Sequence, residues 1–112
     1  MLNQNEIVVF ITAPNEDEAA EIAKVLVKSK LAACVNIIKG VRSIYIWRGN
    51  LEDDSEVLMI VKTQKKLFAA LSDKTKELHS YDVPEIIALP IAGGSEDYLK
   101  WLRESTEIKP EE

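Results

Sequence analysis

The side chains best suited to bind a metal are those of His79 and Glu85, in the segment HSYDVPEI. His79 is the only histidine, so any imidazole chemistry must use it. An imidazole and a carboxylate together suit a borderline divalent metal. Two ligands from one chain are too few for tight binding, so a third must come from Cys34, from a neighbouring subunit or from water. The alternative is a structural role, in which His79 ends a helix and contacts its last carbonyl groups.

Cys34 is the only cysteine and lies in the small, apolar run LAACV. Free cysteines are among the most buried residue types, so an unreactive core thiol is one interpretation. The other interpretation makes Cys34 a soft ligand that favours copper. Without a second cysteine the chain has no internal disulfide and no Cys-x-x-Cys zinc motif, and a reducing cytoplasm is the expected compartment.

Four further polar or aromatic residues flank the predicted hairpin, namely Trp47, Glu56, Lys62 and Thr63. A lysine beside the N-terminus of a helix could bind an anion there, and Thr63 is predicted to begin a helix. The alternative is that Lys62 extends into solvent. The sequence holds no nucleophile elbow, phosphate loop or dinucleotide motif, and no nucleophile is paired with a base. We therefore do not expect an enzyme.

Charge and hydropathy limit the classes of partner that we expect. The net charge is -5, and the longest basic cluster is the pair Lys65 and Lys66. A phosphate-binding surface usually needs a basic stripe, so nucleic acid is not an expected partner. No apolar run approaches the roughly 20 residues that span a bilayer. Residues 1–6 lack the basic and apolar segments of a signal peptide, so we expect a cytoplasmic protein with no membrane partner.

Four runs predict strands that are apolar on both faces, namely residues 7–11, 32–35, 57–61 and 86–89. A sheet with one solvated face would alternate apolar and polar residues. The helices of the chain can cover one face of the sheet. We expect another copy of the same chain to cover the other face, because monomers rarely expose an apolar surface as large as a sheet face.

Turn and cap residues divide the chain into elements. Asn15, Thr63 and Ser95 are predicted helix caps, Gly40 predicts a β-bulge, and residues 48–50 predict a hairpin turn. The order is β-α-β-β-α-β with an extra C-terminal helix. It predicts an α+β, ferredoxin-like two-layer sandwich in a single domain over residues 1–112, with both main helices on one face.

The C-terminal helix is predicted to turn four apolar residues inward, namely Tyr98, Leu99, Trp101 and Leu102. The charged tail over residues 106–112 is predicted to fray.

Several segments, in this order and spacing, resemble the CutA divalent-cation-tolerance proteins. They are LAACVN at 31–36, SIYIWRG at 43–49, residues 56–63, HSYDVPEI at 79–86 and YLKWL at 98–102. The resemblance covers nearly the whole chain. It implies a cytoplasmic homotrimer of ferredoxin-like subunits, with hairpin strands paired between neighbours. Copper binding is ascribed to this family.

The resemblance also implies a cleft between subunits, lined by the residues that match the family's motifs. These are Cys34, Trp47, Glu56, Lys62, Thr63, His79, Tyr81, Pro84 and Glu85. Ser80 stands where the family usually has proline, which predicts a less rigid loop around His79. Ile11 stands where some relatives have cysteine, so a copper site that uses that thiol is absent.

Three functions compete. The first is a non-catalytic homotrimer that binds copper or another divalent metal through His79, Glu85 and Cys34. The second is a small-molecule sensor similar to the PII-like signalling proteins, with a metabolite or anion held in the cleft against Lys62, Trp47 and Tyr81. The third is a stable trimeric scaffold in which these residues only pack.

Overall fold

The computed structural model describes residues 5–107. Residues 1–4 of the segment predicted to lack signal-peptide features lie outside the described residues. Residues 108–112 of the predicted tail also lie outside them. The elements in order are β1 (Glu6–Ala13), α1 (Glu16–Lys28), β2 (Cys34–Trp47), β3 (Asn50–Gln64), α2 (Phe68–Leu78), β4 (Ile86–Pro90) and α3 (Glu96–Ser105).

The four strands form one antiparallel sheet in the order β2-β3-β1-β4 within the described part of the chain. The α+β class and the predicted order of elements are confirmed. This order of elements is the β-α-β-β-α-β plan of ferredoxin-like domains. No helix within residues 5–107 has both the length and the apolar composition to span a membrane.

One face of the sheet packs against α1 and α2 and forms the core. Val9 and Ile11 of β1 pair with Val61 and Met59 of β3, and all four are fully buried. Helix α1 contributes Ile22 and Leu26 to the same cluster, and α2 contributes Leu71. Because alternate strand residues point to opposite faces, this register fixes which residues of β1 and β3 face away from the helices.

The opposite face, here called the outer face, carries the intervening residues of each strand. Val8, Phe10, Leu58 and Ile60 are half-buried, and two residues of β4, Ile87 and Leu89, are 51% and 47% exposed. The strands are therefore apolar on both faces, as the sequence predicts.

Helix α3 lies on the outer face at the end formed by Glu6 and Gln64. The Arg103 guanidinium pairs with the buried Glu6 carboxylate, and Gln64 Nε2 donates to Thr106 Oγ1 at 2.8 Å. Thr106 is itself buried, so the predicted fraying does not begin at this residue. The expectation that this face lacks any helix of the chain is wrong at this end. Two elements, α3 and the sheet, meet there through side chains that are far apart in sequence.

The prediction that α3 buries all four of its large apolar residues is wrong. Leu102 is fully buried, whereas Tyr98 and Trp101 are 42% and 46% exposed. Their rings contact each other at 5.5 Å between centroids. A short helix that lies on a sheet presents only one narrow stripe to it, so the neighbouring residues stay at the surface.

The hairpin between β2 and β3 shows the predicted turn and bulge. Trp47 pairs with Asn50 across a two-residue turn in which Arg48 and Gly49 both have positive φ, which is a type I′ geometry. The register shifts between Ile38 and Val41, where Gly40 has φ +81°. Both sequence predictions are confirmed.

The bulge decides which face the far end of β2 presents. Before it, Ile37 pairs with Met59 on the core face, and after it Val41 pairs with Glu56 on the outer face. One extra residue in a strand reverses the direction of every side chain that follows. Tyr45 and Trp47 therefore lie on the outer face, on the same side as Glu56.

Asn15 and Ser95 cap their helices as predicted, because their side chains accept the backbone N–H groups of Glu18 and Tyr98. The predicted Thr63 cap is wrong. Thr63 still belongs to β3, its hydroxyl donates to the Leu31 carbonyl oxygen, and α2 begins only after a 3-10 turn over Lys65–Leu67. The apolar strand extends further than the cap signal indicates, because Thr63 is itself buried in the core face.

Candidate functional site

A cleft of about 380 Å3 opens on the outer face, at the end of the sheet away from α3. It lies between the far arm of the hairpin, the end of β1 and the loop that joins α2 to β4. Its lining residues are Thr12, Tyr45, Trp47, Glu56, Tyr81, Asp82, Val83, Pro84 and Glu85. The Gly40 bulge places the Tyr45 and Trp47 side chains on the face where the cleft lies. The loop between α2 and β4 contributes residues 81–85 to the lining.

His79 fixes the start of that loop. It ends α2, where its backbone N–H donates to the Thr75 carbonyl oxygen, and it is only 8% exposed. Its Nδ1 accepts the backbone N–H of Tyr81 at 3.1 Å, and its Nε2 lies 2.7 Å from the Thr12 carbonyl oxygen. Since Nδ1 is an acceptor, the proton is on Nε2, which donates to Thr12. Neither ring nitrogen has a lone pair free in this arrangement.

Ser80, the next residue of the loop, is held by helix α1. Its backbone N–H and its hydroxyl both donate to Glu18 Oε2 on α1, each at 3.0 Å. The same oxygen lies 3.5 Å from His79 Nδ1. A proline at position 80 could not donate from its backbone nitrogen. In this chain, hydrogen bonds to Glu18 hold the loop, whereas a proline would restrict it through its ring.

Tyr81 and Glu56 meet inside the cleft. The Tyr81 hydroxyl donates to Glu56 Oε2 at 2.8 Å, and Glu56 is only 6% exposed. Burial, followed by this hydrogen bond and the negative charge of Glu56, raises the pKa of Tyr81. The Tyr81 hydroxyl therefore remains a donor at neutral pH.

Tyr45 meets a second carboxylate on the hairpin. Its hydroxyl donates to Asp54 Oδ2 at 2.6 Å. This hydrogen bond, together with partial desolvation and the negative charges of Asp54, Glu56 and Glu52, raises the pKa of Tyr45 to about 12. Each of the two phenols therefore donates to a carboxylate, Tyr81 to Glu56 and Tyr45 to Asp54.

The charges that line the cleft are all negative, from Glu56, Asp82 and Glu85. Arg48 contacts two of the lining residues but does not itself line the cleft. Its guanidinium lies 5.4 Å from the centroid of the Trp47 ring and 3.8 Å from Asp82 Oδ2. The arrangement can therefore attract cations and hold them beside aromatic rings.

Comparison with known proteins identifies the family. The family model described as CutA1 divalent ion tolerance protein matches residues 7–105. The chain belongs to the CutA1 family.

Among its CutA relatives, the divalent-cation tolerance protein CutA of Thermus thermophilus is 54% identical over 101 residues, which cover 90% of this chain and 98% of that protein. The chloroplastic protein CutA of Arabidopsis thaliana is 50% identical over 100 residues, and the chain covers 89% of its own length but 55% of that protein. The solved structure of the Thermus thermophilus protein superposes with a TM-score of 0.88 at 54% identity, over 91% of this chain and 99% of that chain.

The cleft in this chain brings together five of the nine lining residues that the resemblance implies. Trp47, Glu56, Tyr81 and Glu85 line it, together with Pro84. His79 lies behind the cleft and holds Tyr81. The hydrogen bonds of His79 and Ser80 hold the loop in this position.

Cys34, Lys62 and Thr63 lie at the other end of the sheet. Cys34 pairs with Lys62, whereas Thr12, which binds His79, pairs with Leu58. Lys62 and Leu58 are four residues apart on β3, or about 13 Å. The Lys62 ammonium donates to the Asn36 side chain. Within residues 5–107 of one chain, no three His, Cys, Asp or Glu side chains are grouped to hold a metal ion.

Sequence reasoning missed Tyr45 and Asp82 in the cleft and Glu18 beside it. Tyr45 could have been found, because it precedes Trp47 by two residues and must share its face in a strand. Asp82 lay within the motif segment but carried no signal of its own. Glu18 lies in the first turn of α1, and no local pattern indicates its contact with Ser80.

Proposed function

We propose that this CutA-family protein is a non-catalytic homotrimer that binds divalent cations in the cleft and acts in divalent cation tolerance. The observation that carries the proposal is the charge of the cleft, where Glu56, Asp82 and Glu85 are lining residues and no lysine or arginine is. Carboxylate oxygens are ligands for divalent cations in general. The family name supports the tolerance role.

The proposed ligand set begins with Glu85, which is exposed at the cleft. His79 could join it only if Nδ1 released the Tyr81 N–H. Cys34 of the same chain is too far from both, so a metal site that includes a thiolate needs the cysteine of a neighbouring subunit. Water completes the set otherwise. Imidazole and thiolate ligands would favour copper, and carboxylates alone would favour harder ions such as Mn2+.

The trimer is supported by the outer face. Its exposed apolar residues include Ile38, Ile87 and Leu89, and Tyr98 and Trp101 are exposed on helix α3, which lies on this face. Monomers rarely leave contiguous apolar surface of this kind in water. Closed cyclic assembly of identical subunits would cover it.

Native mass spectrometry during a Cu2+ titration tests assembly and metal together, with Mn2+ as the second metal. We expect a trimer that takes up discrete copper equivalents, and at least tenfold weaker affinity in Glu85→Gln and in His79→Ala. Glu21→Gln, an exposed carboxylate on α1, is the matched control and should bind as the wild type does. A monomer would refute the assembly, and a ladder of copper adducts that no variant changes would refute the metal site.

A second function, the binding of a small organic molecule, is favoured by the size and lining of the cleft. A volume of about 380 Å3 exceeds what a metal ion needs and falls within the range of ligand pockets. Of the contacts predicted for such a ligand, Trp47 and Tyr81 line the cleft and Lys62 does not. A thermal-shift panel of metabolites and nucleotides on metal-free protein tests this function. A shift that Trp47→Leu abolishes would support it, and no shift with any member beside clear copper binding would count against it.

We also propose a cytoplasmic location, which the single cysteine supports. The name of the Arabidopsis thaliana relative places that protein in the chloroplast. A fluorescent fusion followed through cell fractionation would test the location of this chain.

A further inference from the structure

We propose that Glu18 is a positioning residue for the metal site of the cleft, because through Ser80 it holds the loop that presents Glu85. The inference rests on the metal-binding function proposed above and adds to it a residue that does not itself line the cleft. Glu18 acts on the cation through the loop and is not one of its ligands.

Glu18 is fixed at its backbone and binds the loop with its side chain. Its backbone N–H donates to Asn15 Oδ1 at 2.8 Å in the first turn of α1. Its Oε2 accepts the backbone N–H and the hydroxyl of Ser80, each at 3.0 Å. Hydrogen bonds to an ionised acceptor are stronger than neutral ones, and the Glu18 side chain is only 20% exposed. The first turn of a capped helix therefore holds one residue of the loop at two points.

The loop carries this restraint from Ser80 into the cleft. The next residue, Tyr81, donates its backbone N–H to His79 Nδ1 and its hydroxyl to Glu56 Oε2. The loop then continues to Glu85, the first of the proposed ligands. Binding to a loop that is already ordered avoids the entropic cost of ordering it at that moment. Loss of the contact at Ser80 should therefore weaken binding at Glu85.

The contact between Glu18 and Ser80 lies within one chain. Helix α1 packs on the face of the sheet opposite the cleft, where Ile22 and Leu26 join the core. A neighbouring subunit that covers the outer face and adds ligands to the cleft leaves this contact in place. The metal and the Glu18 contact then favour the same loop conformation, and such a coupling is reciprocal.

The first measurement is hydrogen exchange on the chelator-treated full chain, without metal. In Glu18→Ala we expect exchange at the Tyr81 amide to rise at least about fivefold, because loss of the Ser80 contact allows the loop to open. The Tyr81 amide is the informative one, since its own acceptor on His79 is intact in this variant. Glu21→Ala, on the same helix, should leave the exchange unchanged. Unchanged Tyr81 exchange in Glu18→Ala would overturn the inference, whatever the metal does.

The second measurement is the Cu2+ affinity of the trimer, followed by native mass spectrometry. We expect at least about fivefold weaker binding in Glu18→Ala and a change below about twofold in Glu18→Gln, whose amide oxygen still accepts from Ser80. Unchanged affinity in Glu18→Ala would overturn the inference. A loss in Glu18→Gln as large as in Glu18→Ala would also overturn it, because Glu18 would then act through its charge or as a ligand.

A double-mutant cycle with Ser80→Pro shows whether Glu18 acts through Ser80. Proline lacks both donors, and the preceding His79 has φ -80° and ψ 141°, the extended conformation that a residue before proline prefers. In the Ser80→Pro background, Glu18→Ala should change the Cu2+ affinity by less than about twofold. An equal loss in both backgrounds would overturn the inference.

The wild-type titration separates the two proposals. Wild-type protein that binds no Cu2+ or Mn2+ would refute the metal-binding function, and this inference with it. Wild-type binding that depends on Glu85 but is unchanged in Glu18→Ala would remove only the positioning role of Glu18.

Discussion

The His79 Nε2 atom donates a hydrogen bond to the Thr12 carbonyl oxygen, and this contact ties the loop after α2 to the end of β1. Through Nδ1 the same ring holds the backbone N–H of Tyr81, whose hydroxyl in turn reaches Glu56. A single buried imidazole therefore connects the sheet to the cleft. Its first role in this chain is to position Tyr81.

We predict that His79→Ala lowers the free energy of unfolding by about 2–4 kcal/mol. The substitution removes a fully buried side chain and leaves the Thr12 carbonyl and Tyr81 N–H without their partner. Urea denaturation at one fixed protein concentration measures the change, with the exposed Lys76→Ala on the same helix as the control. A loss below about 0.5 kcal/mol would contradict the positioning role.

Glu18 is predicted to hold the loop at Ser80. In Glu18→Ala the Ser80 N–H and hydroxyl lose their common acceptor, and we expect a loss of about 1–2 kcal/mol, reduced by partial solvent access. Hydrogen exchange should rise at the Ser80 amide. The matched control is Glu21→Ala, whose ion pair with Lys24 is exposed and long, so its effect should stay within about 0.5 kcal/mol. Equal effects of the two variants would show that Glu18 acts only through the helix.

The sequence predicted what short-range contacts determine. The Asn15 cap accepts from Glu18, three residues away, and the type I′ turn at Arg48 and Gly49 involves only neighbours. The bulge followed from one glycine. The runs of apolar residues predicted a sheet with two apolar faces, and five of the nine residues that the resemblance implied line the cleft.

What the sequence did not predict depends on contacts between distant residues. Helix α3 lies on the outer face because Arg103 reaches Glu6, 97 positions away, and no local pattern encodes that pair. Lys62 and Cys34 matched the family's motifs but lie at the far end of the sheet from His79. Only the strand register, which pairs Cys34 with Lys62 and Thr12 with Leu58, separates them.

We predict that the β-bulge requires glycine at position 40, because the backbone there is left-handed. Its φ is +81°, and an added Cβ would meet no atom within 4 Å, so the cost of Gly40→Ala is one of backbone conformation alone. We expect a loss of about 1–2 kcal/mol in the free energy of unfolding. Gly93→Ala is the matched control, because Gly93 has equally open surroundings without the positive φ, and its change should not exceed about 0.5 kcal/mol in either direction. Similar values for both would mean that the bulge tolerates a side chain.

The tyrosines are predicted to titrate late. The pKa of Tyr45 is raised to about 12 from an ordinary 10.0, chiefly by the Asp54 hydrogen bond, and the pKa values of Tyr81 and Tyr98 are raised chiefly by burial. Phenolate absorbance at pH 11 should therefore be well below that of the urea-unfolded chain. In Glu56→Gln the pKa of Tyr81 should fall but stay above 10.0, because burial remains. Three tyrosines that all titrate near pH 10 in the folded protein would contradict this prediction.

The same shifts fix the sign of the alkaline stability change. Above pH 10 the unfolded chain loses phenolic protons that the folded chain retains, so the folded state binds more protons in this range. The stabilisation is fully present below pH 10 and is lost as the pH rises toward the folded-state value, about 12 for Tyr45. Urea midpoints measured from pH 9 to pH 12 should fall across this window, and they should fall less steeply in Tyr45→Phe, which removes the Tyr45 titration. A midpoint that rises between pH 10 and pH 12 would show that another titrating group dominates.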